Sequence, residues 1–162
     1  MTAARRSRKR YICLAALVLG LAGLAPVLHA ATTERVVVDR HTGLAIYGID
    51  PVAYFTAGRP TAGREDFEHR HAGAVWRFVN EGNRAAFAAD PEVYMPRFGG
   101  FDPVGISRGL AQPGYPALWV VSQQRLYLFY TADARAAFLA NASEVIAGAT
   151  ARWPAVKNEL AE

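Results

Sequence analysis

The sequence predicts an α+β protein built from two fused units of one plan, each a small antiparallel β-hairpin followed by a helix and packed together as one domain. Three observations predict it. A chain of 162 residues with 52% apolar content supports one compact core and is short for two independent ones. Two stretches of period-two alternation each run into a helical pattern. Like residues in the two halves are separated by a near-constant 51 to 52 positions.

Taken in order, the chain opens with "RRSRKR", the apolar "YICLAALVLGLAGLAPVLHA" and small-residue cleavage positions ending at Ala30. Basic, apolar and small-residue regions in that order make residues 1–30 an expected secretory signal, so the remainder, 31–162, is expected in the periplasm or outside the cell. The alternative is an uncleaved anchor, for which Ile12 to Pro26 is short against a span of about 20 residues. Arg5 and Arg6 leave the Sec and twin-arginine routes both open. Cys13 is the one cysteine of the chain. Cleavage would leave no thiol, which excludes structural disulfides, thiolate zinc sites and cysteine nucleophiles.

"RVVVD" (35–39) reads as a strand. "HTGLAIYGIDPVAYF" reads as turn and strand pieces punctuated by Gly43, Gly48 and the Asp50–Pro51 step. In "FEHRHAGAVWRFV" apolar and polar residues alternate on both sides of Ala72 and Gly73, which predicts a β-hairpin. Asn80 is an N-cap for "EGNRAAFAADPEVYM", with Pro91 splitting that segment into two short helices. In the second half "ALWVVS" and "RLYLFY" form strands around Gln123 and Gln124, Thr131 caps "ADARAAFLAN", and a last helix runs from Ser143 to about Leu160 with a break at Pro154.

Aligned, Asp50, Pro51 and Val52 match Asp102, Pro103 and Val104, and Phe78 matches Phe129. Arg84 to Phe87 match Arg135 to Phe138, and Glu92 and Val93 match Glu144 and Val145. Such a sustained offset signifies an internal duplication, with unit one over about 41–100 and unit two over about 101–160.

Charge narrows the function. Five of the eighteen basic residues precede the apolar run, so residues 31–162 hold 13 basic and 14 acidic side chains. A net of −1 is not the footprint of a nucleic-acid binder. No Gly-x-Ser-x-Gly nucleophile elbow and no phosphate-cradling glycine loop occurs, so no catalytic residue is assigned.

The stretches "TGLAIYGIDPVAYFTAGRPTAG", "FEHRHAGAVWRFVNEGNRAAFAADPEVYMPRFGG" and "ATARWP" resemble the YHS domain, and about His41 to Pro154 is similar to the exported bacterial YHS-domain proteins. The metal-associated form of that family places a Cys after Asp-Pro-Val and a Cys-x-x-x-Cys pair after a Phe where the last strand turns into the helix. Here Ala53 and Gly105 hold the first place. Val79 and Asn83 hold the pair in copy one, Tyr130 and Ala134 in copy two. Exported relatives often carry a Cys or selenocysteine after a Gly-Gly-aromatic step, where this chain has Asp102. The thiol chemistry that the resemblance implies is therefore not carried over.

The expected function is non-catalytic binding of a small ligand or a periplasmic protein partner at a cleft between the units. The candidate ligand-binding residues are Asp50, Tyr54, Trp76 and Asp102, with Tyr47, Phe78 and Tyr94 as further aromatic walls. On the other reading the two aspartates are Asp-Pro turn formers and the aromatics are core. The alternative function is handling of copper or zinc by His69 and His71, two imidazoles on one side of a strand, with His41 or a carboxylate completing the set. Against it stands a hairpin that packs one imidazole and exposes the other.

Overall fold

The computed structural model describes residues 35–160, and they form a mixed α+β fold, the class the sequence predicts. The expected signal segment, Cys13 included, lies outside the described residues. Two antiparallel hairpins make the β part: β1 (Arg64–His71) with β2 (Ala74–Phe78), and β3 (Tyr115–Ser122) with β4 (Arg125–Phe129). Six helices surround them: α1 (Ala53–Thr56), α2 (Glu81–Ala89), α3 (Pro91–Tyr94), α4 (Pro103–Ser107), α5 (Ala132–Ala140) and α6 (Ala142–Glu159).

Residues 35–39 do not form the expected strand. Val37 donates to the Gly99 carbonyl and accepts from Ile46 N–H, both at 2.8 Å, and the stretch shares only an isolated bridge from Val38 to Ala45. A segment threaded between two turns spends its backbone groups on each side and has no ladder to join. Those turns are alike. Ile46, Tyr47 and Gly48 have φ of 41°, 59° and 75°, and Phe98, Gly99 and Gly100 have φ of 56°, 63° and 90°. Three successive left-handed residues reverse the chain before each Asp-Pro step.

After Asp-Pro the chain turns into a short helix in both halves, α1 and α4, where a strand piece was expected in the first. The aspartate explains this, because its carboxylate accepts the N–H groups that begin the turn. Each hairpin then pairs with one irregularity, between Arg64 and Glu68 in the first and between Tyr115 and Trp119 in the second. Both hairpin turns are left-handed at two successive residues, Ala72–Gly73 and Gln123–Gln124. Asn80 and Thr131 cap α2 and α5 by accepting from Asn83 and Ala134 N–H, as the sequence predicts.

The helices close the core with matched aromatics. Phe87 of α2 meets Trp76 and Phe78 at 5.0 and 5.1 Å, and Phe138 of α5 meets Tyr127 and Phe129 at 4.9 and 5.1 Å. α6 runs unbroken through Pro154, against expectation. Pro154 and Thr150, the residue whose carbonyl loses its bond, both face water, while Ala149 and Val156 are buried. Packing on the buried side holds the helix through the proline.

β3–β4 is the middle layer. Leu126, Leu128, Trp119 and Val121 join Trp76, Phe78 and Phe87 in one apolar cluster. Tyr127, Phe129, Leu118 and Val120 join Phe138, Ile106 and Val156 in another. Successive side chains of a strand point to opposite faces, so this hairpin is apolar on both. The outer face of β1–β2 is different: Arg77 pairs there with Glu65 and Glu68 at 3.1 and 2.8 Å.

Candidate functional site

The two aspartates expected at the site are buried hubs. Asp50 is 0% exposed; its Oδ1 accepts from Val52 and Ala53 N–H at 2.8 and 3.3 Å, and its Oδ2 from Val79 N–H and Asn83 Nδ2 at 2.8 and 2.6 Å. Asp102, 1% exposed, repeats this. Its Oδ1 accepts from Val104 and Gly105 N–H at 2.8 and 3.4 Å, its Oδ2 from Tyr130 N–H at 3.0 Å. Each carboxylate thus ties the start of a short helix to the end of a hairpin. Charge-assisted bonds to amides hold a buried carboxylate without a cation. Neither aspartate is placed to touch a solute, which corrects the expectation that they line a ligand site.

Ala53, Val79 and Asn83 come together around Asp50, and Gly105 and Tyr130 around Asp102. These are places where the YHS resemblance expects thiols. Residues 25 to 30 positions apart are gathered by the fold around each aspartate.

Tyr54 and Trp76 are 2% and 0% exposed, so these candidates too belong to the core. The Tyr54 hydroxyl donates to the Pro116 carbonyl at 3.0 Å and its ring meets Trp119 edge-on at 5.2 Å, joining α1 to β3. Burial raises the Tyr54 phenol well above its usual pKa. Trp76 Nε1 donates to the His71 carbonyl at 3.0 Å. Phe78 is fully buried, and Tyr94 packs edge-on against Phe55 at 5.6 Å.

His69 and His71 share one face of β1, their rings at 5.9 and 5.8 Å from the Phe87 ring. Both are half-buried, neither fully packed nor fully open. His41 is elsewhere, in the turn where its N–H donates to Asp39 Oδ1 at 2.8 Å. Among the described residues no three His, Cys, Asp or Glu side chains gather as an ion-holding group. The expected set of His41, His69 and His71 is not assembled.

A cavity of ≈ 390 Å³ does lie between the halves. Val36 to His41, Tyr47, Phe101, Ala111, Pro113 and Leu160 line it. Apolar walls with a few polar groups, Asp39, Arg40, His41 and the Tyr47 hydroxyl, are the usual makeup of a small-molecule site, and the size lies at the small end of that range. Burial, with Tyr115 and Asp39 adding and Arg40 opposing, raises the Tyr47 pKa. Of the residues proposed from sequence, Tyr47 and His41 line it. The remaining lining comes from positions as far apart as Val36 and Leu160, for which sequence spacing carries no signal.

In comparisons with known proteins, no family model, curated protein or solved structure matches this chain.

Proposed function

We propose that this is an exported, non-catalytic binding protein made of two fused YHS-like units, and that its ligand is a small, mostly apolar molecule held in the cavity between them. The observation that carries the reading is the cavity itself, walled by residues from both halves and rimmed by Asp39, Arg40, His41 and Tyr47. The way the chain spends its two buried carboxylates supports the binding reading. Asp50 and Asp102 are committed to backbone and Asn83 amides, which leaves neither free for acid or base work.

The test is ligand-observed NMR with a set of small neutral bicyclic aromatics, indole and 2-naphthol among them. Binding is expected in the parent protein and lost in Ala111→Trp, which sets an indole at a lining position of the cavity. Binding that survives Ala111→Trp, or none from the set, would remove the cavity as the site. The metal reading keeps one observation in its favour, the His69 and His71 rings side by side on β1. Copper or zinc binding by untagged protein that disappears in both His69→Ala and His71→Ala would establish it in place of the first.

A further inference from the structure

Arg97, Arg125 and Tyr127 come together where the turn at Phe98 meets β4. Arg125 and Tyr127 alternate with Leu126 along the strand, so their side chains stand on the same face. The Phe98 ring lies 6.4 Å from the Tyr127 ring, and the Arg97 guanidinium sits over that Phe98 ring at 5.5 Å. Burial raises the pKa of the Tyr127 hydroxyl, and the charges of Arg97 and Arg125 both reach it and act in the opposite sense.

What the group lacks is a counter-charge. Arg64, Arg77 and Arg84 each pair with a nearby carboxylate, whereas among the described residues neither Arg97 nor Arg125 forms an ion pair, although both are half-buried. Arg125 is held by its Nη1 bond to the Glu92 carbonyl at 2.7 Å, which leaves its other donors free. Arg97 is held by the face of Phe98. Tyr127 is only 2% exposed, yet its hydroxyl has no hydrogen-bond partner among the described residues. No buried side-chain oxygen there lacks a partner, so the hydroxyl is the part of Tyr127 that reaches the surface. Two cations gathered about one unpartnered donor repel each other, and a bound anion relieves that repulsion.

The donor set narrows the anion. A carboxylate is planar, and a single guanidinium fork satisfies both its oxygens. Here two forks from separate segments and a phenol O–H offer donors from three positions, which suits the several oxygens of a tetrahedral phosphate. Two positive charges also match a phosphate that is close to doubly ionised at neutral pH.

We propose that Arg97, Arg125 and Tyr127 bind a phosphate group, with the two arginines holding its charge and the phenol donating to one of its oxygens. None of the three lines the cavity, so this is a second site and does not depend on the cavity ligand.

The experiment is isothermal titration calorimetry of inorganic phosphate into the full chain at low ionic strength, with acetate as the comparison anion. Saturable binding is expected for phosphate and none for acetate. Arg97→Gln and Arg125→Gln should each weaken it roughly tenfold or more, since each removes charge-assisted bonds. Tyr127→Phe keeps the packed ring and loses only the donor, so it carries the test should an arginine variant unfold; it should weaken binding roughly threefold to tenfold. Arg135→Gln, at an exposed arginine of α5, and Ala111→Trp should both leave it unchanged. Glycerol 3-phosphate titrated in parallel identifies the source. Equal affinity for the two supports a site for the free ion, and tighter binding of the ester supports one for a phosphorylated small molecule. No saturable binding of either phosphate, equal binding of acetate, or an affinity that the arginine and tyrosine variants do not move would each overturn the proposal.

Discussion

Four N–H donors surround Asp50 and three surround Asp102, and the difference is one side chain: Asn83 of α2 reaches Asp50, while Ala134 stands at the matching place in α5. Asp50→Ala would strand four donors, two of them buried and two half-buried, and is expected to destabilise by about 3 kcal/mol in urea unfolding. Asn83→Ala removes one charge-assisted bond and should cost about 1–2 kcal/mol. The reverse change, Ala134→Asn, offers Asp102 a fourth donor and is expected to stabilise by about 1 kcal/mol; no gain would mean the two hubs are not equivalent. Tyr54 gives a pH dependence. Its phenol is raised in the folded state, so above the unfolded value near pH 10 the unfolded chain releases a proton that the folded chain keeps. Stability is whole below that pH and falls as pH rises beyond it, and Tyr54→Phe should flatten this fall in alkaline melts. The turn-forming role of Asp-Pro was legible in sequence, because its first partners lie two and three residues on. The reach to Val79 was not, since no local pattern marks a bond 29 positions away.

Elements with a strong period were legible, and elements set by a single long-range bond were not. Both hairpins and both nine-residue helices follow their sequence patterns closely, because alternation and capping residues are local causes. Residues 35–39 look like a strand, yet the turns at Gly48 and Gly99 leave them no partner strand; α6 ignores its proline because its packed face outweighs one lost bond on the wet side. The second hairpin turn carries a testable weakness. Gln123 and Gln124 both hold left-handed backbone, φ 51° and 57°, which the Asn-Gly pair adopts more readily. Replacing them with Asn-Gly should stabilise by about 0.5–1 kcal/mol, read as a raised Tm. The first hairpin turn already has Gly73 at its second place, so Ala72→Asn there is expected to gain less. Glycines on the preceding loops are fixed by contact instead: a Cβ at Gly114 would lie 2.5 Å from Leu128 Cβ, and one at Gly63 2.4 Å from the Arg77 carbonyl carbon. Gly114→Ala should therefore destabilise where an ordinary loop glycine would tolerate the change.

At the scale of the molecule, the two hairpins differ in what their second faces do. Leu126 and Leu128 of β4 cover the cluster built on Trp76 and Phe87; the residues at those places in β2 are Val75 and Arg77. The first hairpin therefore ends the stack with charge, and the second, apolar on both faces, bridges the two clusters. A bridge of this kind makes the halves interdependent. Leu128→Ala opens a cavity in the first cluster and should cost about 2–5 kcal/mol, while Arg77→Ala, which removes two ion pairs from a half-buried arginine to surface glutamates, should cost a measurable but smaller amount. The same layering predicts one cooperative transition. Near-ultraviolet circular dichroism, which reports the packed aromatics, and far-ultraviolet signal, which reports the helices, should give coincident unfolding curves, and Phe138→Ala in the second cluster should shift both together. A chain ending at Gly100 would lack Leu126, Leu128, Trp119 and Val121, and is expected to show helical signal without a cooperative melt. If that fragment melted sharply by itself, the first cluster would need no cover from β3–β4, and the halves would be independent bodies that merely touch.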